Sequence, residues 1–195
     1  DLNGDGLDDV VAGGRGTYTD TLVAAGEVQI LFGQPGGWEE PNPSADLTWI
    51  GEQEMARAGS TLAGLGDLNG DGFGELAIAT NQRKTSASGY EQPGQGMVAL
   101  FYGQEDFATT YTSLSTASAE ISGVGISDAA GSAMDAGDLN GDGYRDLIIG
   151  APYGSSTQGR VIVIPGGAVV LSGSSDLDDA PISISGTAYS DNFGH

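Results

Sequence analysis

Oxygen-bearing side chains recur at fixed intervals in three nine-residue stretches. Asp1, Asn3, Asp5 and Asp9 form the first. Asp67, Asn69, Asp71 and Glu75 form the second, and Asp138, Asn140, Asp142 and Asp146 the third. Oxygens fall at positions 1, 3, 5 and 9, with glycine at position 6 (Gly6, Gly72, Gly143). A hard cation such as Ca2+ takes about six to eight oxygen ligands at roughly 2.3–2.6 Å, so the backbone must wrap sharply around it. Glycine at position 6 permits that turn. The backbone carbonyl at position 7, from Leu7, Phe73 or Tyr144, adds an oxygen, and the position-9 carboxylate can bind through one atom or both. Each loop then offers about five or six protein oxygens, which water can complete. The sequence predicts about three Ca2+ sites. Mg2+ parts reluctantly with its waters, and zinc prefers Cys or His, neither of which lies near the loops. The second loop departs from the others, because Glu75 reaches one methylene further and makes this copy the weakest match.

Two other readings of the loops fail. An EF-hand opens with the same D-x-[DN]-x-[DN]-G pattern but needs a bidentate Glu at position 12 and flanking helices. Position 12 here is Ala12, Ile78 or Ile149, each in an apolar run. A bare hairpin turn explains Asn-Gly but not three acidic residues at position 9.

The loops start at residues 1, 67 and 138, so they belong to a larger repeat. Each is followed by a short apolar run: Val10-Val11-Ala12, Leu76-Ala77-Ile78-Ala79 and Leu147-Ile148-Ile149. A second run ends in glycine: 27–33, 97–103 and 160–166. A third strand follows at 47–51, 119–123 and 182–186. A fourth, through 60–64 and 132–136, leads into the next loop. The first two kinds of run are apolar at most positions, as in strands buried on both faces, whereas Ile182-Ser183-Ile184-Ser185 alternates. The expected fold is all-β: a β-propeller of four-stranded antiparallel blades, with about three blade-equivalents present. The loop-to-loop repeats are 1–66, 67–137 and 138–195. A β-sandwich explains the alternation but not a fixed loop inside every period.

Composition narrows the function. Glycine accounts for 34 of 195 residues, and with regular apolar clusters this reads as turns between short strands. The net charge is −21, and three divalent ions would leave −15. Such a surface repels phosphate backbones and anionic membranes, so no nucleic-acid partner is expected. Cysteine is absent, so metal is expected to take over the stapling role of disulfides. No apolar run approaches the ~20 residues of a membrane span. The variable segments 14–25, 80–95, 104–118, 152–158 and 172–181 are expected to be surface loops. Among aromatic residues, Trp49 lies in a strand pattern and belongs to the core. Trp38, in a Gly/Pro-rich stretch, is better placed for contact. Catalysis is not expected. The single His is His195, there is no Gly-x-Ser-x-Gly elbow, and acidic pairs such as Glu39-Glu40 or Glu52 and Glu54 are unremarkable among 27 acidic residues.

The chain resembles the FG-GAP repeat family, the repeat of the integrin α-subunit head. Gly150-Ala151-Pro152 stands where the GAP element does, and Phe193-Gly194 where a further repeat opens. Ala58-Gly59 and Ala130-Gly131 take the FG position without the aromatic. Gly13-Gly14 and Ala79-Thr80 replace GAP in the first two units. All three D-x-N-x-D-G-x-x-[DE] loops match the family's calcium motif. The resemblance implies a propeller with calcium in hairpin loops on one face. Another acidic loop is expected shortly after His195, which suggests part of a longer chain or an assembly of copies.

The expected function is an extracellular or cell-surface, calcium-stabilised, non-enzymatic adhesion, binding or surface-assembly module. Its partner would be a protein or glycan bound through the variable loops, or copies of itself. One alternative is the repeating subunit of an extracellular filament joined head to tail. Another is the propeller domain of a carbohydrate-active enzyme such as a polysaccharide lyase.

Overall fold

A computed structural model describes residues 1–38, 43–82, 93–125, 127–154 and 158–195. The acidic pair Glu39-Glu40 lies outside this set, as do most of segment 80–95 and part of 152–158. The described residues form three sheets. The first is β1 (Val10–Gly13), β2 (Glu27–Leu31) and β3 (Leu47–Ile50). The second contains β4 (Thr61–Gly66), β5 (Glu75–Gln82), β6 (Pro93–Phe101) and β7 (Ala119–Ser122). The third is built from β8 (Ala133–Gly137), β9 (Asp146–Ala151), β10 (Arg160–Ile164) and β12 (Ile182–Ser185). Neighbours within each of these meanders are antiparallel. The chain is all-β with antiparallel sheets, as a propeller segment requires.

The second sheet is covered on both faces, which explains its nearly continuous apolar strands. Side chains alternate along a strand. Leu76 and Ile78 of β5, with Ala99 and Phe101 of β6, therefore join Val28, Ile30 and Trp49 of the first sheet in one core. The intervening Ala77, Val98 and Leu100 join Leu147, Ile149, Ile162 and Ile164 of the third sheet in another. Burying a Leu, Ile or Phe side chain is worth about 1.5–3 kcal/mol, so these two layers carry much of the stability. Trp49 is buried as expected, its ring 4.8 Å from Phe101 and 6.2 Å from Phe107. Trp38 is exposed, and its indole N–H donates to the Phe32 carbonyl at 3.3 Å.

Small residues close the seams. A Cβ on Gly13 would collide with the Gly59 carbonyl, and one on Gly150 with that of Gly194. One on Gly131 would come within 2.8 Å of Ala79 Cβ. The GAP-position residue of one unit thus packs against the FG-position glycine of the next, where only a minimal side chain fits. Parallel bridges Gly26 to Ala58, Gly96 to Ala130 and Gly159 to Phe193 repeat beside these contacts.

Four features differ from the sequence-based expectation. The strand through 61–66 pairs with β5 rather than with the first sheet, so the sheets straddle the loop-to-loop division at 66/67. The same shift holds for β8 and β9 at 137/138. The second sheet has five strands, not four. Segment 172–181, expected as a loop, contributes β11 (Gly173–Asp176), which pairs in parallel with β7. Its continuation, a 3-10 turn at Leu177–Asp179, is anchored by the fully buried Leu177. Finally, β12 is exposed at all four residues, whereas β7, covered at its edge by β11, is largely buried. Segment 104–118 also holds a one-turn helix, Phe107–Thr110, and a 3-10 turn, Leu114–Thr116, because Phe107, Tyr111 and Leu114 turn inward onto the Trp49 core.

Candidate metal centre

The second and third acidic loops are the turns of the β4–β5 and β8–β9 hairpins, and the first leads into β1. All three share one set of hydrogen bonds. The position-1 carboxylate accepts the amides of positions 4 and 6: 2.7 and 2.9 Å at Asp1, 2.6 and 2.9 Å at Asp67, 2.6 and 3.0 Å at Asp138. The side-chain oxygen of Asn3, Asn69 or Asn140 accepts the amide at position 5. The carboxylate of Asp5, Asp71 or Asp142 accepts the amide at position 7, that of Leu7, Phe73 or Tyr144. The Asn side-chain amide donates across to the position-5 carboxylate at 2.8–3.1 Å. These bonds turn each loop so that its side-chain oxygens face inward from one side of the backbone.

Position 9 has a role that the sequence pattern does not reveal. Asp9 accepts the Leu2 amide at 2.7 Å with one oxygen and the Gly33 amide at 2.9 Å with the other. Asp146 does the same with Leu139 at 2.8 Å and Gly166 at 3.0 Å. The carboxylate clamps its loop to the end of the next strand in the sheet. The visible signal was the glycine ending each second strand, read only as a turn marker. Side chains at Gly33 or Gly166 would strike the loop backbone at Asp8 or Arg145.

In the second loop, ligand oxygens of Asp67, Asp71 and Glu75 lie within 4.8 Å of one another. Among the described residues, no other three acidic, His or Cys groups converge so closely. The copy ranked weakest from sequence is the most tightly gathered, because Glu75 extends further from its strand. Glu75 is 1 % exposed. One oxygen accepts the Leu68 amide at 2.5 Å, and the other is buried without a hydrogen bond of ordinary geometry. Burial pushes the Glu75 carboxyl up to about 7, helped by the charges of Asp71 and Asp67 and opposed by the Leu68 and Gly103 amides. An under-satisfied buried carboxylate beside two others is costly unless a cation or proton joins it. The donors are all hard oxygens, which suits Ca2+ rather than a thiophilic metal. This set can hold a divalent ion, with Asp67, Asn69, Asp71 and Glu75 supplying side-chain oxygens and Phe73 a carbonyl.

Comparison with known proteins agrees with the repeat. The sequence model of the FG-GAP repeat matches residues 58–101 and 130–164. Each match runs from an Ala-Gly turn through an acidic loop to the end of the second strand after it. The chain is 34% identical over 161 residues to integrin alpha-IIb of Mus musculus, covering 80% of this chain and 14% of that protein. It is 34% identical over 176 residues to integrin alpha-5 of Xenopus laevis, covering 84% and 15%. Against phosphatidylinositol-glycan-specific phospholipase D of Rattus norvegicus the figures are 30% over 157 residues, covering 78% and 18%. The chain thus spans less than a fifth of the length of these relatives. With the repeated acidic hairpin, the paired small residues at the seams and these matches, the chain belongs to the FG-GAP repeat family and is integrin α-like.

Proposed function

We propose that this segment is part of a calcium-stabilised β-propeller that acts as a non-enzymatic binding or adhesion module in an extracellular setting. The observation that carries the reading is the second loop, where three carboxylates converge and one buried oxygen of Glu75 has no hydrogen bond of ordinary geometry. The same hydrogen-bond pattern in the other two loops supports about three sites. Calcium would be structural, neutralising carboxylates that otherwise repel. At the ~10⁻⁴–10⁻³ M affinities of extracellular modules, millimolar calcium adds about 0.4–1.4 kcal/mol per site. Three such sites are significant against a total of about 5–15 kcal/mol. The relatives named integrin alpha support the adhesive role and the cell-surface setting. Among the described residues no helix is long and apolar enough to cross a membrane.

A protein or glycan partner would meet the loops at the end opposite the acidic hairpins, where Tyr18, Tyr153 and Tyr189 are exposed. The match to a phospholipase D favours a second reading, a propeller that accompanies an enzyme. In that reading too this segment binds rather than catalyses. The test of the calcium role is metal analysis of the purified protein together with thermal melts in calcium and in chelator. Bound calcium near three equivalents and a melting temperature several degrees lower in chelator are expected. Metal-free protein with an unchanged melt would rule calcium out.

A further inference from the structure

Neighbouring acidic loops lean on one another. The Phe73 ring of the second loop lies against Gly4 of the first, where a Cβ would overlap it. The Tyr144 ring of the third lies against Gly70 of the second, where a Cβ would come within 2.6 Å of it. Both glycines have left-handed backbone, φ +74° and +81°, which a side chain would strain in any case. Main-chain bonds follow the same direction. The Gly74 amide of the second loop donates to the Asp1 carbonyl at 2.7 Å. The position-2 carbonyls, Leu2 and Leu68, accept the amides of Gln104 and Gly167 from the next sheet, each at 2.9 Å. Leu2 and Leu68 are each 5% exposed beneath this cover, whereas Leu139 is 60% exposed.

The contacts join atoms that matter to an ion on both sides. In one loop the contact residue is at position 7, whose carbonyl is a ligand candidate. In its neighbour the contact is Gly4 or Gly70, whose amide holds the position-1 carboxylate. An ion that fixes position 7 of the second loop also fixes the ring pressing on Gly4, and with it the orientation of Asp1. By thermodynamic reciprocity, an ion in the first loop must favour the second equally.

We propose that the three loops take up divalent cations as a coupled row rather than as independent sites, with Phe73 and Tyr144 as the positioning residues between them. This rests on the calcium reading above. The mechanism requires no contact between ions, only that each loop be better ordered when its neighbour is ordered.

The test follows the amide signals of Gly6, Gly72 and Gly143 by NMR during a calcium titration of the 15N-labelled chain. Each reports its own loop. Asp71→Asn weakens the second loop. The midpoint of the first loop is expected to rise about fivefold or more, the lower range of measured couplings. Phe73→Leu copies the leucine already present at position 7 of the first loop and guards against loss of folding in the first variant. It is expected to raise the Gly6 midpoint along with the Gly72 midpoint, whereas a purely local effect would move Gly72 alone. A Gly6 midpoint unchanged in both variants overturns the coupling while leaving calcium binding intact. Absence of any calcium-dependent shift in the unmodified chain overturns the calcium reading, and the coupling with it.

Discussion

Glu75 shows how one methylene changes a site. The aspartates at position 9 of the other loops bridge two backbone amides, and both their oxygens are satisfied. Glu75 meets Leu68 with one oxygen and brings the other, buried, beside the half-buried Asp67 and the exposed Asp71. Its carboxyl is raised from 4.5 to about 7, chiefly by burial. Without metal, the folded chain keeps a proton across this interval that the unfolded chain has released. This contribution to stability is therefore complete below about 4.5 and is lost as pH rises through 7. Melts in chelator should show the unmodified protein losing more stability between pH 5 and pH 8 than Glu75→Gln, which cannot ionise. Calcium should shrink the difference, because a cation favours the ionised carboxylate. Equal pH slopes for both proteins would refute this account of the second loop.

At the scale of elements, the segment from Pro165 to Ala180 binds two sheets together. It leaves β10 of the third sheet, adds β11 to the second and returns as β12 to the third. Leu177 anchors it, and the Leu171 amide donates to the Tyr102 hydroxyl at 2.8 Å. Arg160 on β10 completes the joint. Its guanidinium lies 3.5 Å from Asp128, between the second and third sheets, and 2.5 Å from Asp178. The two partners differ in burial: the Asp128 side chain is 8% exposed and that of Asp178 63%. Removing one member of a buried ion pair costs about 3–5 kcal/mol, because the other charge remains in a poorly solvating site. Exposed pairs contribute about 0–1 kcal/mol. Chemical denaturation should accordingly show Arg160→Leu destabilised by several kcal/mol and Asp178→Ala by less than about 1 kcal/mol. The reverse order would mean that Asp178 is the partner that matters. The strap was not legible in the sequence. Segment 172–181, with Asp176, Asp178 and Asp179, is expected as a surface loop, and nothing local announces that Leu177 will be wholly buried.

For the whole molecule, the decisive fact is that one sheet lies between two others. Hydrogen exchange should be slowest in β5 and β6, whose residues alternate between two cores, and should approach the global unfolding rate there. The exposed β12 should exchange much faster. Comparable protection of β12 and β6 would contradict this ranking. The same arrangement accounts for what the pattern of apolar residues already disclosed. Leu76-Ala77-Ile78-Ala79 and Val98-Ala99-Leu100-Phe101 have no polar face because neither face meets water. Glu27-Val28-Gln29-Ile30 alternates because only Val28 and Ile30 turn toward a neighbouring sheet.

The sequence by itself determined the all-β class, the period, the strands of each repeat and the wrapped form of the acidic loops. These depend on local geometry: side chains alternate on a strand, glycine admits the sharp turn, and aspartate and asparagine cap the amides beside them. Only the tertiary structure decided which strand pairs with which across a loop and where β11 adds to a sheet. It alone also set the burial of Glu75 and the seating of Phe73 and Tyr144 on a neighbour's glycine. Each of these joins residues tens of positions apart, and their cost or gain arises from desolvation and contact that no local stretch of chain contains.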